Sequence, residues 1–285
     1  MNKKSTPKFD FPHTHLMVFN DLFGKYGITC KKTKYQKRFF PMHNHNYIEF
    51  EYVTNGEMTE KLNGSINNMA KGSFHCLDQY DSHCFTTERF FEFNNISIDI
   101  KKIPPHIINL LRLKPFPYVG KFDSSSLLKI NELFDTIYEL QNSNVPFAEE
   151  TIYSYLTLFI IEFLKAGETI NCETQNPSYG YIKSAVKYIE KNFQNPITLT
   201  EVANYLNIAP TYLSQLFPKF LGCGFTQYLN SYRISIAKEL ILSSNLSITE
   251  IALNSGFGSL CSFSRAFNKY VGCSANVFKK NYKIK

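Results

Sequence analysis

Two stretches in the last third of this 285-residue chain repeat one another, and that repeat leaves few folds open. The first, TLTEVANYLNIAPTYLSQLF, starts at Thr198, and the second, SITEIALNSGFGSLCSFSRAF, starts at Ser247. Each opens on a capping box, Thr198 with Glu201 and Ser247 with Glu250, in which a hydroxyl and a carboxylate satisfy backbone donors at a helix start. Apolar residues follow at helical spacing: Leu199, Val202, Ala203 and Leu206 in one, Ile248, Ile251 and Ala252 in the other. A break at 207–209 or 256–258 then precedes a second helix, marked by Leu213, Leu216 and Phe217 or by Phe263 and Phe267. Two short helices joined by a tight turn make a helix-turn-helix. The small Ala203 and Ala252 suit a close helix–helix approach, and Gly256 suits a turn that needs positive φ. One such hairpin is a weak signal; two, offset by 49 to 50 residues, are a strong one.

Charge points the same way. From Tyr179 to Lys285 there are 12 Lys and Arg against 4 Asp and Glu, a net of +8, while the upstream part carries 19 against 20, a net of −1. All seven histidines lie at or before His106. A basic C-terminal unit suits a polyanionic partner, and a neutral, histidine-bearing N-terminal unit suits a different task. Between the repeats, residues 225–243 read as one helix with Leu229, Ile234, Ala237, Leu240 and Ile241 apolar. A rigid helix there fixes the separation of the two units; at about 34 Å both second helices enter successive major grooves.

Residues 179–285 resemble the DNA-binding domain of the AraC/XylS family of bacterial regulators. The second half carries the family pattern in Arg233-Ile234, Ala237, Leu240, Ser247-Ile248, Ile251-Ala252, Gly256-Phe257, Phe263-Ser264-Arg265, Phe267 and Gly272. The resemblance implies a sequence-specific, DNA-binding transcription regulator. Departures fall in the first unit. Ala209 stands where the family has Ser or Thr, and losing that cap costs roughly 1 kcal/mol, partly offset by Pro210. Pro218 stands where lysine is usual, and the helix is predicted to kink or end there. Near the end of the chain, Ser274-Ala275 and Phe278-Lys279 replace the family's Ser-Pro and Tyr-Arg.

On each second helix the apolar face packs inward, so outward residues in its N-terminal half reach base edges. These are Thr211, Ser214 and Gln215 in the first unit, and Leu260, Ser262 and Arg265 in the second, with Cys261 a further candidate. The guanidinium of Arg265 is built for bidentate pairing with guanine, a phosphate contact being its other reading. Lys219, Lys269 and Lys279 are candidate phosphate contacts that set register.

Residues 35–103 are rich in Phe, Tyr, Val and Ile in short runs, with Asn55-Gly56 and Asn63-Gly64 as expected hairpin turns. That is a β-rich pattern suited to a small barrel or jelly roll. Helical spacing follows over 126–141 and 147–164; the second stretch is apolar on more than one face, which fits packing on both the barrel and a second copy of the chain or, equally, packing wholly within its own domain. Residues 167–178 are polar and aperiodic, as a linker would be. His43, His45, Glu49 and His83 fall at a spacing that resembles the two motifs of the cupin barrel, although Lys37, Asp78, Tyr80 and Thr87 replace motif residues. Three readings stay open: an effector pocket in which these four side chains bond a polar ligand, which we take forward; a divalent metal site; or structural residues at a barrel mouth.

The expected architecture is therefore α+β. Residues 1–166 form a cupin-like β-barrel (jelly roll) with helices, for sensing and dimerisation; 167–178 form a linker; and 179–285 form an all-α domain of two helix-turn-helix units. The expected function is transcription regulation, most simply activation, under a small-molecule effector such as a carbohydrate. The partners would be promoter double-stranded DNA, that effector, RNA polymerase and a second copy as homodimer. Neither a catalytic residue nor a cofactor is called for. The rivals are a metal-dependent cupin enzyme with a DNA-binding tail and a ligand-independent regulator. No run of 18 apolar residues offers a membrane span. The basic start lacks the apolar core of a signal peptide, and seven cysteines without a CxxC pair suit reduced thiols in a cytoplasmic protein.

Overall fold

In the computed structural model, which describes residues 23–169 and 177–282, the chain divides where the hydrophobic patterning changes. The N-terminal part is one antiparallel sheet backed by helices. Its strands are β1 (Ile28–His43), β2 (Ile48–Leu62), β3 (Ser65–Ala70), β4 (Ser73–Leu77), β5 (His83–Ile98), β6 (Tyr118–Lys121) and β7 (Gly167–Thr169). They run in the order β1-β5-β2-β4-β6-β7, with β3 pairing off β2. The sheet curls because its long strands bend at bulges, and β2 changes partner along its length: Glu49–Tyr52 face β4 and Glu57–Leu62 face β3.

Asn63-Gly64, with φ of 48° and 87°, makes the expected tight turn between β2 and β3. Asn55-Gly56 does not turn the chain. It is a bulge inside β2, where the ladder with β5 slips between Val53 and Asn55, and a side chain on Gly56 would lie 2.1 Å from the Phe90 carbonyl. The same dipeptide thus serves two purposes, because both need a glycine in positive φ.

Helices α1 (Pro105–Leu111), α2 (Ser124–Leu140) and α3 (Ala148–Ala166) cover the sheet. Periodicity places α2 and α3 within two residues of where they lie. Their inward stripes, Leu127, Ile130, Phe134 and Ile137 with Ile152, Leu156, Phe159 and Phe163, close on Phe50, Tyr52 and Phe74 of the sheet. Each of these fully buried aromatic rings contributes roughly 1.5–3 kcal/mol of apolar burial. The expected linker starts late: Gly167–Thr169 pairs with β6 as β7, held by its backbone rather than by any apolar pattern. Residues 170–176 lie outside the described residues, as do the basic start and Cys172. Among the described residues, no helix is long and apolar enough to cross a membrane.

From Pro177 the chain is helical: α4 (Pro177–Asn192), α5 (Leu199–Tyr205), α6 (Pro210–Leu221), α7 (Phe225–Ser243), α8 (Ile248–Asn254), α9 (Leu260–Val271) and α10 (Ala275–Tyr282). They form two cores joined by α7, which buries Phe225, Tyr228 and Leu229 in the first and Ile234, Ala237 and Ile241 in the second. At 19 residues, α7 is about 28 Å long.

Candidate nucleic-acid interface and effector cavities

Each repeat builds the same backbone. Both capping boxes form: the Thr198–Glu201 and Ser247–Glu250 pairs close reciprocally, with Thr198 Oγ1 accepting from the Glu201 N–H and Ser247 Oγ from the Glu250 N–H. The turns match as well. Asn207 (φ 54°) and Gly256 (φ 85°) take the left-handed conformation, and the next amide donates back to the small residue of the first helix, Ile208 to the Ala203 carbonyl and Phe257 to the Ala252 carbonyl, both at 3.0 Å. Gly222 and Gly272, again in positive φ, end α6 and α9 alike. Gly256 has a second constraint, since a Cβ there would meet the Phe193 carbonyl at 2.3 Å. That carbonyl, at the end of α4, accepts from Arg233 Nε at 2.8 Å, which ties α4 to the second unit.

The expected departures in α6 are partly realised. Its N-cap, Ala209, makes no side-chain cap bond, whereas Ser259 caps α9 through the Ser262 N–H. Pro218, however, does not end the helix, which continues to Leu221. A proline at 218 leaves the Ser214 carbonyl without its helical donor, and both residues are exposed, so the helix loses that bond at an open face.

Thr211, Ser214, Gln215 and Lys219 lie exposed on α6, opposite buried Leu213, Leu216 and Phe217. Leu260, Arg265 and Lys269 lie exposed on α9, opposite Phe263 and Phe267; Ser262 is half-buried and donates to the Ser259 carbonyl at 2.8 Å. Lys279 is placed differently. Its Nζ donates to the Leu246 carbonyl at 2.8 Å, at the entrance to α8.

In the sheet domain the four motif residues are all buried, yet they do not form one site. His45, Glu49 and His83 bring ligand atoms within 4.8 Å of one another. His43 lies against His83, ring centroids 4.3 Å apart, but is not one of those three, and its Nδ1 is 2.9 Å from the Pro41 carbonyl. His43, Glu49 and His83 line a cavity of about 210 Å³ with Tyr47, Phe85 and Asn95, while His45 lines a larger one, about 480 Å³, where the sheet domain meets α4 and α7. Three further residues, unnamed by the motif, join the cluster: Glu51, Glu60 and His75. Burial works against every charge here. Against that burial, His45 and the neighbouring imidazoles hold Glu49 well below the carboxylate range. Glu60 is likewise brought down to about 2 by His75 and His83. Burial, then the adjoining Glu49 and Glu60, push Glu51 up, and the carboxylates around His75 raise it against its own burial.

The sheet domain and the first unit are hydrogen-bonded to each other. Asn44 donates to the Tyr228 hydroxyl at 3.1 Å and Ser82 Oγ to the Phe220 carbonyl at 2.7 Å. The Tyr179 hydroxyl lies 3.0 Å from Asp81 and 3.1 Å from the Tyr80 carbonyl. Lys101 adds an ion pair at 2.8 Å to Glu239, on the part of α7 that packs in the second core.

Comparisons with known proteins bear on the helical part of the chain. The helix-turn-helix domain family matches residues 202–281. The HTH-type transcriptional regulator YfiF of Bacillus subtilis is 38% identical over 96 residues, 34% of this chain and 30% of its own length. The lactose operon transcription activator of Staphylococcus xylosus is 33% identical over 103 residues, 36% of this chain and 37% of its own. The chain thus spans about a third of the length of these two curated relatives. Among solved structures, the C-terminal domain of AraT, a response regulator from Geobacillus stearothermophilus, is 38% identical with a TM-score of 0.36, covering 37% of this chain and 88% of that one.

Proposed function

We propose that this chain, whose residues 202–281 match the helix-turn-helix domain family, is an AraC-type transcription regulator that seats α6 and α9 in successive major grooves of promoter DNA under the control of a small-molecule effector. The observation that carries this reading is the matched backbone of the two units, caps, turns and C-terminal glycines included, mounted on one helix. Thr211, Ser214 and Gln215 face the bases of one groove and Leu260, Ser262 and Arg265 those of the next, Arg265 pairing with guanine. Lys219 and Lys269 hold phosphates; Lys279 joins them only by giving up the Leu246 carbonyl.

The effector is a small polar molecule, such as a sugar, held in the cavity that His43, Glu49 and His83 line, with His45 facing the adjoining junction. A likeness to a lactose operon activator supports the sugar class. Its binding shifts the hydrogen bonds that dock the sheet domain on α4, α6 and α7. Pairing of two copies through the sheet domain then multiplies the modest affinity of each head, and the DNA-bound homodimer recruits RNA polymerase as an activator in the cytoplasm, without catalysis of its own.

Footprinting of the full chain on genomic promoter fragments tests the DNA arm. Two protected patches about one helical turn apart are expected, with affinity falling steeply as salt rises. Absence of protection even in dilute salt overturns the reading. A thermal-shift screen of sugars and other metabolites tests the effector arm, which fails if none stabilises the chain.

A further inference from the structure

The buried cluster contains two side chains, Glu60 and His75, that no DNA-binding or effector role uses, beside His83, which also faces the smaller cavity. Glu60 Oε1 on β2 lies 2.9 Å from His75 Nδ1 on β4 and 3.2 Å from His83 Nδ1 on β5. All three side chains are at most 2% exposed. Neither ring nitrogen of His75 has an aligned hydrogen-bond partner despite those short approaches, and Glu60 Oε2 and His83 Nε2 also go without one. Leaving buried polar atoms unsatisfied in one cluster is costly for a protein interior. A cation between Glu60 and the two Nδ1 atoms gives His75 Nδ1 a partner and, with the carboxylate bidentate, Glu60 Oε2 as well.

We infer that Glu60, His75 and His83 form a binding site for a divalent transition-metal ion of the zinc class. A tetrahedral ion with nitrogen and oxygen ligands at about 2.0–2.2 Å sets those ligands about 3.3–3.5 Å apart. The separations of 2.9 and 3.2 Å need only a few tenths of an ångström of expansion. Two imidazoles and one carboxylate leave a fourth position for Glu60 Oε2 or water. The surroundings fit as well. On the far side of the same two rings, Glu49 Oε2 lies 3.4 Å from His83 Nε2 and 3.9 Å from His75 Nε2. Each imidazole therefore has Glu60 at its Nδ1 and Glu49 on the side of its Nε2, and closure of Glu49 on a far N–H is what would favour the metal-binding tautomer. Glu49 is itself held by Asn95 Nδ2 at 2.5 Å. The ion enters through the 210 Å³ cavity, where Glu49, Glu51 and His83 form part of the wall.

This set differs from the cupin-like spacing, which names neither Glu60 nor His75. It also sits beside the docking surface, since His83 follows Ser82, which bonds the Phe220 carbonyl at the end of α6. An ion that fixes the ends of β2, β4 and β5 together stiffens that surface.

Zinc binding by the full-length chain, stripped with a chelator and followed by calorimetry and thermal shift, tests the inference without DNA or effector. One zinc ion per chain and a zinc-dependent rise in melting midpoint are expected. Glu60→Gln and His75→Gln are expected to lower zinc affinity by roughly 10–100-fold or more, as loss of metal-site groups does, while Lys34→Gln, on the exposed part of β1, leaves it within error. No binding by the folded wild-type chain overturns the site, and so does binding that survives Glu60→Gln and His75→Gln. Cobalt substitution in the wild type needs no variant to fold: bands of a nitrogen–oxygen ligand set support the site, and an intense thiolate band, which puts the ion on cysteine, overturns it.

Discussion

The two helix-turn-helix units share a backbone and differ in what surrounds it. The first has an uncapped recognition helix with a proline inside it, and the carbonyls of Lys219 and Phe220 at its end accept bonds from Lys61 and Ser82 of the sheet domain. The second has a capped recognition helix, ends on an open glycine turn, and presents Arg265 and Lys269 to solvent. Under the proposed function, the first unit would be the one the sheet domain governs and the second the one that anchors on DNA.

The sharpest way to break the comparison is at the two turns. Gly256→Ala puts a Cβ 2.3 Å from the Phe193 carbonyl at a φ of 85°, and strain of that kind costs about 1–3 kcal/mol before the displaced α4 junction is counted. Asn207→Ala, at the matching turn, is expected to cost only about 1 kcal/mol, because that position already carries a Cβ and asparagine is merely the better left-handed residue. Denaturant midpoints of the two variants measure the gap; equal losses would mean that the units are not anchored differently. On DNA, Arg265→Ala is expected to cost about 1–3 kcal/mol, concentrated at one base position. Binding to a panel of single-base operator variants reads this, and a uniform loss across the panel would make Arg265 a phosphate contact.

What can be read from the chain divides along the same line. Caps, turn residues and apolar spacing in the heads are local signals, so Thr198, Ser247, Gly256 and the faces of α6 and α9 are legible in the order of the residues alone. Pro218 does not end its helix, because whether a proline does so depends on its surroundings as well as on the lost amide, and both Pro218 and Ser214 are exposed. The sheet domain is non-local. Glu60 lies on the same side of β2 as Glu49 and Glu51 only because the bulges around Asn55-Gly56 shift the alternation by one residue, and alternation alone places it opposite. His75 meets Glu51 through a strand register, not through spacing. Those two residues escape a reading of the sequence for that reason, and β7 escapes it because its pairing is backbone alone.

Docking of the first unit gives a smaller test. Tyr179→Phe removes the hydroxyl that lies 3.0 Å from buried Asp81, and a lost bond to a buried carboxylate costs about 1–2 kcal/mol. If the sheet domain holds one head only, amide hydrogen exchange speeds up in α6 and leaves α9 unchanged. Equal acceleration in both helices would show that the chain loosens as a whole and that the asymmetry does not hold.

The smallest effect concerns the caps themselves. Ser259→Ala deletes the side chain that accepts from the Ser262 N–H and is expected to lower stability by about 1 kcal/mol. Ala209→Ser supplies the missing acceptor at the matching position of α6, but the return is smaller, roughly 0.5 kcal/mol, because Pro210 already presets the first helical turn and lacks one of the amides a cap would serve. Melting midpoints of the two variants should therefore move in opposite directions by unequal amounts, down further for Ser259→Ala than up for Ala209→Ser. A gain from Ala209→Ser as large as the loss from Ser259→Ala would mean that Pro210 contributes nothing, and that the first recognition helix is weaker at its start than its proline suggests.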